Sequence, residues 1–196
     1  MKTVGILLAG GLSRRFGSPK AFAKWNGASF YELSLRALSP LCDEIVIVTR
    51  SELVDAFPSG LSVITDVDAF AGQGPVAGIL SGMEAIEAER YIVLPCDMPL
   101  LSAETIGRLV ACHVSGVTAV ISEGKHHPLV SVWDRDAQSV LKSALLEGQR
   151  RVMTVQEKVG VRWVQGACLT ENASEFMNVN TPDRLKGVDG YANDCR

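Results

Sequence analysis

The chain has 196 residues, and 47% of them are hydrophobic, which is enough for one domain that buries a full core. Its net charge of −3 argues against binding DNA or RNA, because proteins that follow a phosphate backbone carry a surplus of Lys and Arg. The five cysteines form no C-x-x-C pair and no apolar run reaches membrane-spanning length, so we expect a cytoplasmic protein with reduced thiols and no membrane partner.

Apolar runs of strand length alternate with helical patterns along the chain. The predicted strands cover residues 3–9, 44–49, 61–65, 91–95, 118–122, 127–133 and 160–164. The predicted helices cover residues 30–38, 76–88, 103–113, 136–147 and 151–158. Several strands are apolar at consecutive positions, which is typical of parallel strands with helices on both faces. The pattern therefore predicts an α/β fold of three layers with a mostly parallel central sheet, followed by a flexible tail over residues 187–196.

A glycine pair and three basic residues follow the first predicted strand. Gly10 and Gly11 let backbone N–H groups approach an anion, and Arg14, Arg15 and Lys20 add positive charge. This combination predicts a cradle for a triphosphate. A solvated pair of loop arginines is the alternative, and it applies more to Arg14 than to Arg15. The spacing fits neither G-x-x-x-x-G-K-S/T nor G-x-G-x-x-G, so another kind of nucleotide site is expected.

Two aspartates follow other predicted strands. Asp66 and Asp97 each come directly after an apolar run, so the carboxyl ends of parallel strands would bring them to the same edge as the glycine pair. Asp97 could hold Mg²⁺ or, alternatively, form a turn by accepting hydrogen bonds from nearby N–H groups. Asp66 could accept hydrogen bonds from a nucleotide, with Asp68 as its rival and a capping role open to both.

Two further segments combine small or polar residues with a helix start. Gly74, Pro75 and Gly78 open a helical pattern, so free N–H groups and small side chains could form a wall for a base or ribose. An ordinary loop with proline at the first helical position is the alternative. Asn178 and Asn180 stand at alternate positions, and their amides can both donate to and accept from a polar ligand.

Four segments in this order resemble one family. They are residues 8–20 (LAGGLSRRFGSPK), 74–79 (GPVAGI), 94–100 (LPCDMPL) and 178–183 (NVNTPD). The first resembles the signature of nucleotidyltransferases with a Rossmann-like sheet, and the set resembles the molybdenum cofactor guanylyltransferases. Val76 departs from the leucine that is commoner there in the family. The resemblance implies transfer of GMP from GTP to molybdenum-molybdopterin with release of pyrophosphate, and Mg²⁺ as the cofactor.

The resemblance also implies roles for residues of this chain. Arg15, Lys20 and Asp97 are expected to be catalytic, and Asp97 is expected to hold the Mg²⁺. Asn178 and Asn180 are expected on the acceptor side. The expected nucleotide-binding residues are Leu8, Ala9, Gly10, Gly11, Lys20, Asp66, Gly74, Pro75, Gly78 and Asp97.

Other functions stay open at this point. Within the same fold they are a cytidylyltransferase or a sugar-phosphate nucleotidyltransferase, and outside it a non-catalytic nucleotide-binding regulator. A nicotinamide oxidoreductase is disfavoured, because the second strand ends in Thr49 and Arg50 and not in a ribose-binding acid. We expect a single domain over residues 1–186, with an NTP-binding N-terminal half and an acceptor-binding C-terminal half. The implied pathway adds proteins that deliver molybdopterin and chaperones of molybdoenzymes as partners.

Overall fold

The computed structural model describes residues 1–11 and 19–180. Its strands are β1 (Thr3–Leu8), β2 (Lys24–Trp25), β3 (Ala28–Ser29), β4 (Glu44–Val48), β5 (Ser62–Ile64), β6 (Arg90–Pro95), β7 (Val117–Ser122), β8 (Lys125–Asp134) and β9 (Val161–Gln165). Its helices are α1 (Phe30–Leu38), α2 (Pro75–Ala85), α3 (Ala103–Ala111), α4 (Ala137–Leu146) and α5 (Val152–Val159). Arg14, Arg15 and the predicted tail lie outside the described residues.

A seven-stranded sheet runs through the centre in the order β5-β4-β1-β6-β8-β7-β9. Strands β1, β4, β5 and β6 are parallel to their neighbours within this group. Strand β8 runs antiparallel to both β6 and β7, while β9 pairs with β7 in parallel. The mostly parallel central sheet predicted from the sequence is therefore confirmed.

Helices cover the sheet on both faces, and each face has its own core. Along β1, Leu7 belongs to the core shared with α1 and α3, whereas Ile6 belongs to the core shared with α2, α4 and α5. Both side chains are fully buried. Consecutive apolar residues are needed in such a strand because alternate side chains point to opposite faces and neither face meets water. This arrangement confirms the three-layer prediction.

Several element bounds differ from those predicted. Helix α2 begins at Pro75 and ends at Ala85, where the sequence predicts residues 76–88. Proline suits the first helical position, because its fixed φ matches a helix and its missing N–H has no helical partner there. The helix ends because Ile86 adopts an extended conformation, with φ −136° and ψ 113°. The last predicted helical residues therefore lead into β6.

A small hairpin of β2 and β3 was not predicted. The strands are joined by Asn26 and Gly27, whose φ angles are 48° and 81°. Positive φ at both central positions is what the tightest hairpin turns require, and Asn-Gly is the strongest sequence signal for them. The hairpin leads from the short 3-10 turn Lys20–Phe22 into α1. Within the described residues no helix has the length and apolar character needed to cross a membrane.

Candidate active site

One cavity of about 500 Å³ lies at the carboxyl ends of β1, β4, β5 and β6. Every residue that the sequence predicts to bind the nucleotide lines it: Leu8, Ala9, Gly10, Gly11, Lys20, Asp66, Gly74, Pro75, Gly78 and Asp97. Asn178 from the predicted acceptor side lines it too. The structure thus brings these residues together, while their roles in binding stay predictions. Arg15 falls in the stretch that the structure does not describe.

The strand order spreads the polar groups along the cavity. Asp66 follows β5, Arg50 follows β4, Gly10 follows β1 and Asp97 follows β6. Neighbouring strands lie about 4.8 Å apart, so the strands that carry Asp66 and Asp97 are separated by about 14 Å. A ligand that fills the cavity therefore meets one end near Asp66 and a chemically different end near Asp97.

The Asp97 end is a network of charged and amide side chains. Lys20 Nζ lies 3.2 Å from Asp97 Oδ2 and also donates to Asn180 Oδ1. Asn178 donates its Nδ2 to Asp97 Oδ1 at 3.1 Å, and Lys125 Nζ donates to Asn178 Oδ1 at 3.1 Å. The Lys20 and Asp97 side chains are only 15% and 23% exposed, so solvent screens this ion pair less than a surface pair.

Backbone contacts explain why Asp97 meets a segment so distant in the chain. Cys96 N donates to the carbonyl of Leu8 at 3.1 Å, which continues the pairing of β6 with β1. Val179 N then donates to the carbonyl of Asp97 at 2.8 Å. With Val179 held in this way, Asn178 and Asn180 flank the aspartate. The two asparagines that the resemblance assigns to the acceptor side thus lie beside Asp97 and Lys20, while their role toward the acceptor stays a prediction.

Glu175 anchors the asparagine segment to the start of α3. Its carboxylate accepts from Ser102 N at 2.9 Å and from Thr170 Oγ1 at 2.8 Å. Burial acts to raise the pKa of Glu175, but hydrogen bonds from Thr105, Thr170 and Ser102 outweigh burial and hold the pKa below its ordinary value. An ionised Glu175 therefore fixes the chain just before Asn178.

The opposite end of the cavity is formed by Asp66 and the glycine-rich entry to α2. Asp66 Oδ2 accepts from Gly72 N at 3.0 Å, and burial nevertheless raises the pKa of the carboxyl. Gly74, with φ 79° and ψ −161°, adopts a conformation that disfavours any side chain. A Cβ at Gly78 would come 2.9 Å from Leu8 Cδ2 and 3.7 Å from Asp66 Oδ1. The absence of a side chain at Gly78 keeps α2 close to the end of β1.

Cys96 takes no chemical part in this arrangement. The residue is 7% exposed, and burial raises the pKa of its thiol to about 12. The thiol therefore stays protonated at neutral pH, and a protonated thiol is a poor nucleophile and a poor metal ligand. This supports the interpretation of Cys96 as a packed thiol that adjoins the site.

Sequence reasoning missed some of the lining residues. Thr49 and Arg50 line the cavity directly after β4, where the same rule that located Asp66 and Asp97 could have found them. Leu129 is different, because it lies on β8. Ala119 pairs with Ser131 but Val120 pairs with His127, so residues 128–130 form a bulge opposite β7. Only the pairing register reveals that bulge.

A second cavity of about 480 Å³ adjoins the first, and Asn178 lines both. Its other lining residues include Ser122, Lys125, His127 and Phe176. Burial, together with the nearby charge of Lys125 and the neighbouring His126, lowers the pKa of His127. His127 is therefore neutral at physiological pH, and Lys125 is the cation among the lining residues that the structure describes.

Comparison with known proteins points, along nearly the whole chain, to the family that the four sequence segments resemble. Residues 5–161 match the family model described as the MobA-like NTP transferase domain. The chain is 36% identical over 200 residues to a "Probable molybdenum cofactor guanylyltransferase" of Bacillus subtilis (strain 168), covering 100% of this chain and 99% of that protein. It is 37% identical over 191 residues to a protein of the same name from Geobacillus sp. (strain WCH70), covering 95% and 98%.

Solved structures share the fold. Molybdopterin-guanine dinucleotide biosynthesis protein A from Archaeoglobus fulgidus superposes with a TM-score of 0.80 at 24% identity, over 97% of this chain and 99% of that one. A 2-C-methyl-D-erythritol 4-phosphate cytidylyltransferase from Thermus thermophilus gives a TM-score of 0.71 at 16% identity, over 96% and 98%. At such identities the structures show the fold alone. By its sequence, the chain belongs to the MobA-like NTP transferase family, among its molybdenum cofactor guanylyltransferases.

Proposed function

We propose that this protein transfers GMP from GTP to molybdenum-molybdopterin, which forms the guanine dinucleotide cofactor and releases pyrophosphate. The names of its full-length relatives support this reaction. The observation that carries the proposal is the Lys20–Asp97–Asn178 cluster at the junction of two cavities. Two substrates that must react with each other need two adjoining spaces and a charged group where the spaces meet.

GTP occupies the first cavity in this proposal. Its triphosphate lies at Gly10, Gly11 and Lys20, and its base lies toward Asp66. Among the described residues, no atom lies within 4 Å of a Cβ built at Gly11, so the space a side chain would fill is open there. An acceptor oxygen attacks the α-phosphorus while pyrophosphate leaves. Lys20 Nζ stabilises the negative charge that grows on the phosphoryl oxygens, as an ammonium already in place.

The residues at the Asp97 end fit Mg²⁺. Among the described residues, no group of three or more His, Cys, Asp or Glu side chains could enclose a metal ion. Mg²⁺ does not need such a cage, because it is held by one or two carboxylates and fills its remaining positions with phosphate oxygens and water. Asp97 supplies the carboxylate here, beside the amide groups of Asn178 and Asn180. When bound, the ion neutralises triphosphate charge and polarises the α-phosphorus.

The acceptor occupies the second cavity. Lys125 offers a cation to the phosphate of molybdopterin, and Asn178 lies between that phosphate and Asp97. A phosphate acceptor is already ionised at neutral pH, so the reaction needs no general base. The neutral His127 and the Phe176 ring, whose centroids are 5.7 Å apart, form an uncharged wall suited to a pterin.

We further propose that the protein is located in the cytoplasm. There it would receive the pterin from delivery proteins and pass the product to molybdoenzyme chaperones.

The first experiment measures which nucleotide the protein binds and whether it turns over. In the presence of Mg²⁺, GTP should raise the melting temperature more than ATP, CTP or UTP does. With molybdenum-loaded molybdopterin, GTP should then release pyrophosphate. The Asp97→Asn variant should keep its fold, and its turnover rate should fall by at least about a hundredfold, because the charge that holds the metal is gone.

Glu104→Gln is the matched control, because Glu104 pairs with Arg108 on the exposed surface of α3. This variant should retain full turnover. Preferential stabilisation by CTP would favour a cytidylyltransferase. GTP binding without pyrophosphate release would favour the non-catalytic regulator.

A further inference from the structure

Arg50 is a cation of the first cavity to which neither the family motifs nor the proposed chemistry gives a role. It comes two residues after the end of β4 and lines the cavity. A Cβ built at Gly10 would lie 3.6 Å from Arg50 Cγ, so the arginine stem runs beside the glycine turn. The side chain is 30% exposed, which places most of it against protein.

Within residues 1–11 and 19–180, the Arg50 guanidinium has a hydrogen-bond partner at one terminal nitrogen and none at Nε. Its Nη1 donates to Glu52 Oε1 at 2.8 Å. Its Nε is buried and has no hydrogen-bond partner among the described residues. A buried donor without a partner costs free energy, so it is uncommon in native proteins unless a ligand or water satisfies it. Arg50 also lines the cavity with a side chain that is partly exposed, so a turn of the guanidinium toward the cavity would bring this unsatisfied donor to a ligand acceptor.

The position of Arg50 selects the part of the nucleotide that it meets. Strand β4 neighbours β5, and Thr49 N donates to the Ile64 carbonyl at 2.9 Å, which carries this pairing to the end of β5. Arg50 therefore lies about one strand spacing, roughly 5 Å, from the strand of Asp66 and about two spacings, roughly 10 Å, from the strand of Asp97. Strand β1, which carries the glycine turn, is the other neighbour of β4. In the proposed orientation Arg50 therefore lies between the glycine turn that meets the triphosphate and the Asp66 end that meets the base, so its guanidinium is within reach of the base.

We propose that Arg50 recognises the guanine base of GTP, an inference that rests on the proposed function. The Nε–H and Nη2–H groups form one edge of the guanidinium with two parallel donors. Guanine offers two adjacent acceptors, O6 and N7, that match this edge, and arginine is the residue that most often makes this contact. Adenine has an amino donor in place of O6, and uracil has no two adjacent acceptors. Cytosine does have adjacent acceptors, N3 and O2, but they lie on a single-ring base, closer to the ribose than the O6–N7 edge of guanine is, so the same guanidinium position would not serve both bases. Glu52 is then a positioning residue that keeps Nη1 occupied and turns the other edge inward.

The test compares GTP with 7-deaza-GTP, which lacks the N7 acceptor, and with ITP, which keeps both O6 and N7. Wild-type protein should bind 7-deaza-GTP about tenfold to a hundredfold more weakly than GTP, the range expected for loss of a bidentate base contact. ITP should bind Arg50 as GTP does. Arg50→Gln should lose affinity for GTP by a similar factor and should no longer discriminate between GTP and 7-deaza-GTP.

Two further variants separate base recognition from simple charge. Arg50→Lys keeps the charge but not the two-donor edge, so it should behave like Arg50→Gln if the base is recognised. If Arg50 instead attracts the triphosphate, lysine should restore binding of all four nucleotides, and this result would overturn the proposal. Arg135→Gln is the control, because Arg135 pairs with Glu87 on the surface and does not line the cavity. It should leave every affinity unchanged.

The failure of this inference is distinguishable from failure of the proposed function. If the wild-type protein binds and turns over GTP but accepts 7-deaza-GTP equally well, the role of Arg50 is wrong and the guanylyltransferase stands. If no GTP binding is detected in the presence of Mg²⁺, both proposals are wrong. Equal losses for GTP, ATP and CTP in Arg50→Gln, with an unchanged melting temperature, would also exclude base recognition.

Discussion

Asp66 shows at the scale of one residue how a binding group can oppose stability. Its carboxyl is partly buried and has a pKa raised by that burial, despite the hydrogen bond from Gly72 N–H. The folded state therefore disfavours the ionised form that predominates at neutral pH. A side chain placed in this way is typical of a functional site, where stability is lost in favour of a ligand contact. Its rival Asp68 is exposed and does not line the cavity.

Asp66→Asn should raise the melting temperature at pH 7 and weaken GTP binding. The raised pKa of Asp66 sets the direction of this change. At a pH above the raised pKa the Asp66 carboxylate is charged in the folded protein, and its burial lowers the stability of the fold. At a pH below the ordinary value of 3.8 the carboxyl group is neutral in both the folded and the unfolded protein, so this loss of stability disappears. The stability difference between variant and wild type should therefore shrink as the pH falls through the raised pKa. Thermal unfolding between pH 3.5 and 8 measures it.

Asp68→Asn is the matched control for this substitution. It should change neither the melting temperature at pH 7 nor the affinity for GTP. A lower melting temperature for Asp66→Asn at pH 7 would contradict the argument, because it would mean that the ionised carboxylate stabilises the fold.

At the scale of one element, α2 depends on its glycines to approach the sheet. A Cβ at Gly82 would lie 2.8 Å from two carbon atoms of Ile6, which is fully buried and β-branched. The same helix carries Gly78 against Leu8, so its glycines follow β1 toward the cavity. The helix start that forms the cavity wall is therefore positioned by close packing along the length of α2.

Gly82→Ala should lower the free energy of unfolding by about 1–3 kcal/mol, because the added methyl overpacks the core. Gly107→Ala in α3 is the matched control. Its nearest neighbour would be Leu41 Cδ2 at 3.5 Å, an ordinary contact, so alanine should stabilise by up to about 1 kcal/mol through helix propensity. Urea unfolding of both variants measures the two effects. Equal stabilisation by both alanines would show that α2 is not held by close packing.

At the scale of the whole molecule, the site is formed by one part of the sheet together with residues 173–180, a segment distant in the chain. The cavity lies at the ends of the parallel strands β5, β4, β1 and β6, while β7 and β9 are farther along the sheet. Residues 173–180 cross to this edge and bond to Asp97 and Lys20. GTP binding should therefore stabilise this half most strongly.

Amide hydrogen exchange should show this asymmetry. With GTP and Mg²⁺ at 100 times Kd, mass action adds about 2.7 kcal/mol to global stability. That gain is the upper limit for any amide. Among the amides that exchange by local opening, the added protection should concentrate at residues 8–11, 48–50, 72–78 and 95–97, and not in α5 or β9. Asp97→Asn should lose the protection at residues 95–97. Protection spread evenly over the sheet, or largest at β9, would contradict the placement of GTP in the first cavity.

The sequence alone was enough to predict the three layers of the fold and the residues that meet at the cavity edge of the sheet. Apolar strands alternating with helices require a sheet covered on both faces, and polar residues that follow parallel strands must meet at one edge. Gly10, Gly11, Asp66 and Asp97 could be grouped on that basis, without any knowledge of strand order. The Asn26-Gly27 hairpin was equally readable from local turn chemistry and was overlooked.

Only the tertiary structure decided which distant groups complete the site. Asn178 meets Asp97 across 81 positions of chain, Leu129 enters the cavity through a bulge, and Arg50 lines the cavity with an Nε that has no hydrogen-bond partner in the described part of the chain. None of these follows from a local pattern, because each depends on strand order, pairing register or packing between remote segments. Local propensity and periodicity act over a few residues, whereas contacts of this kind are selected by the free energy of the folded chain as a whole.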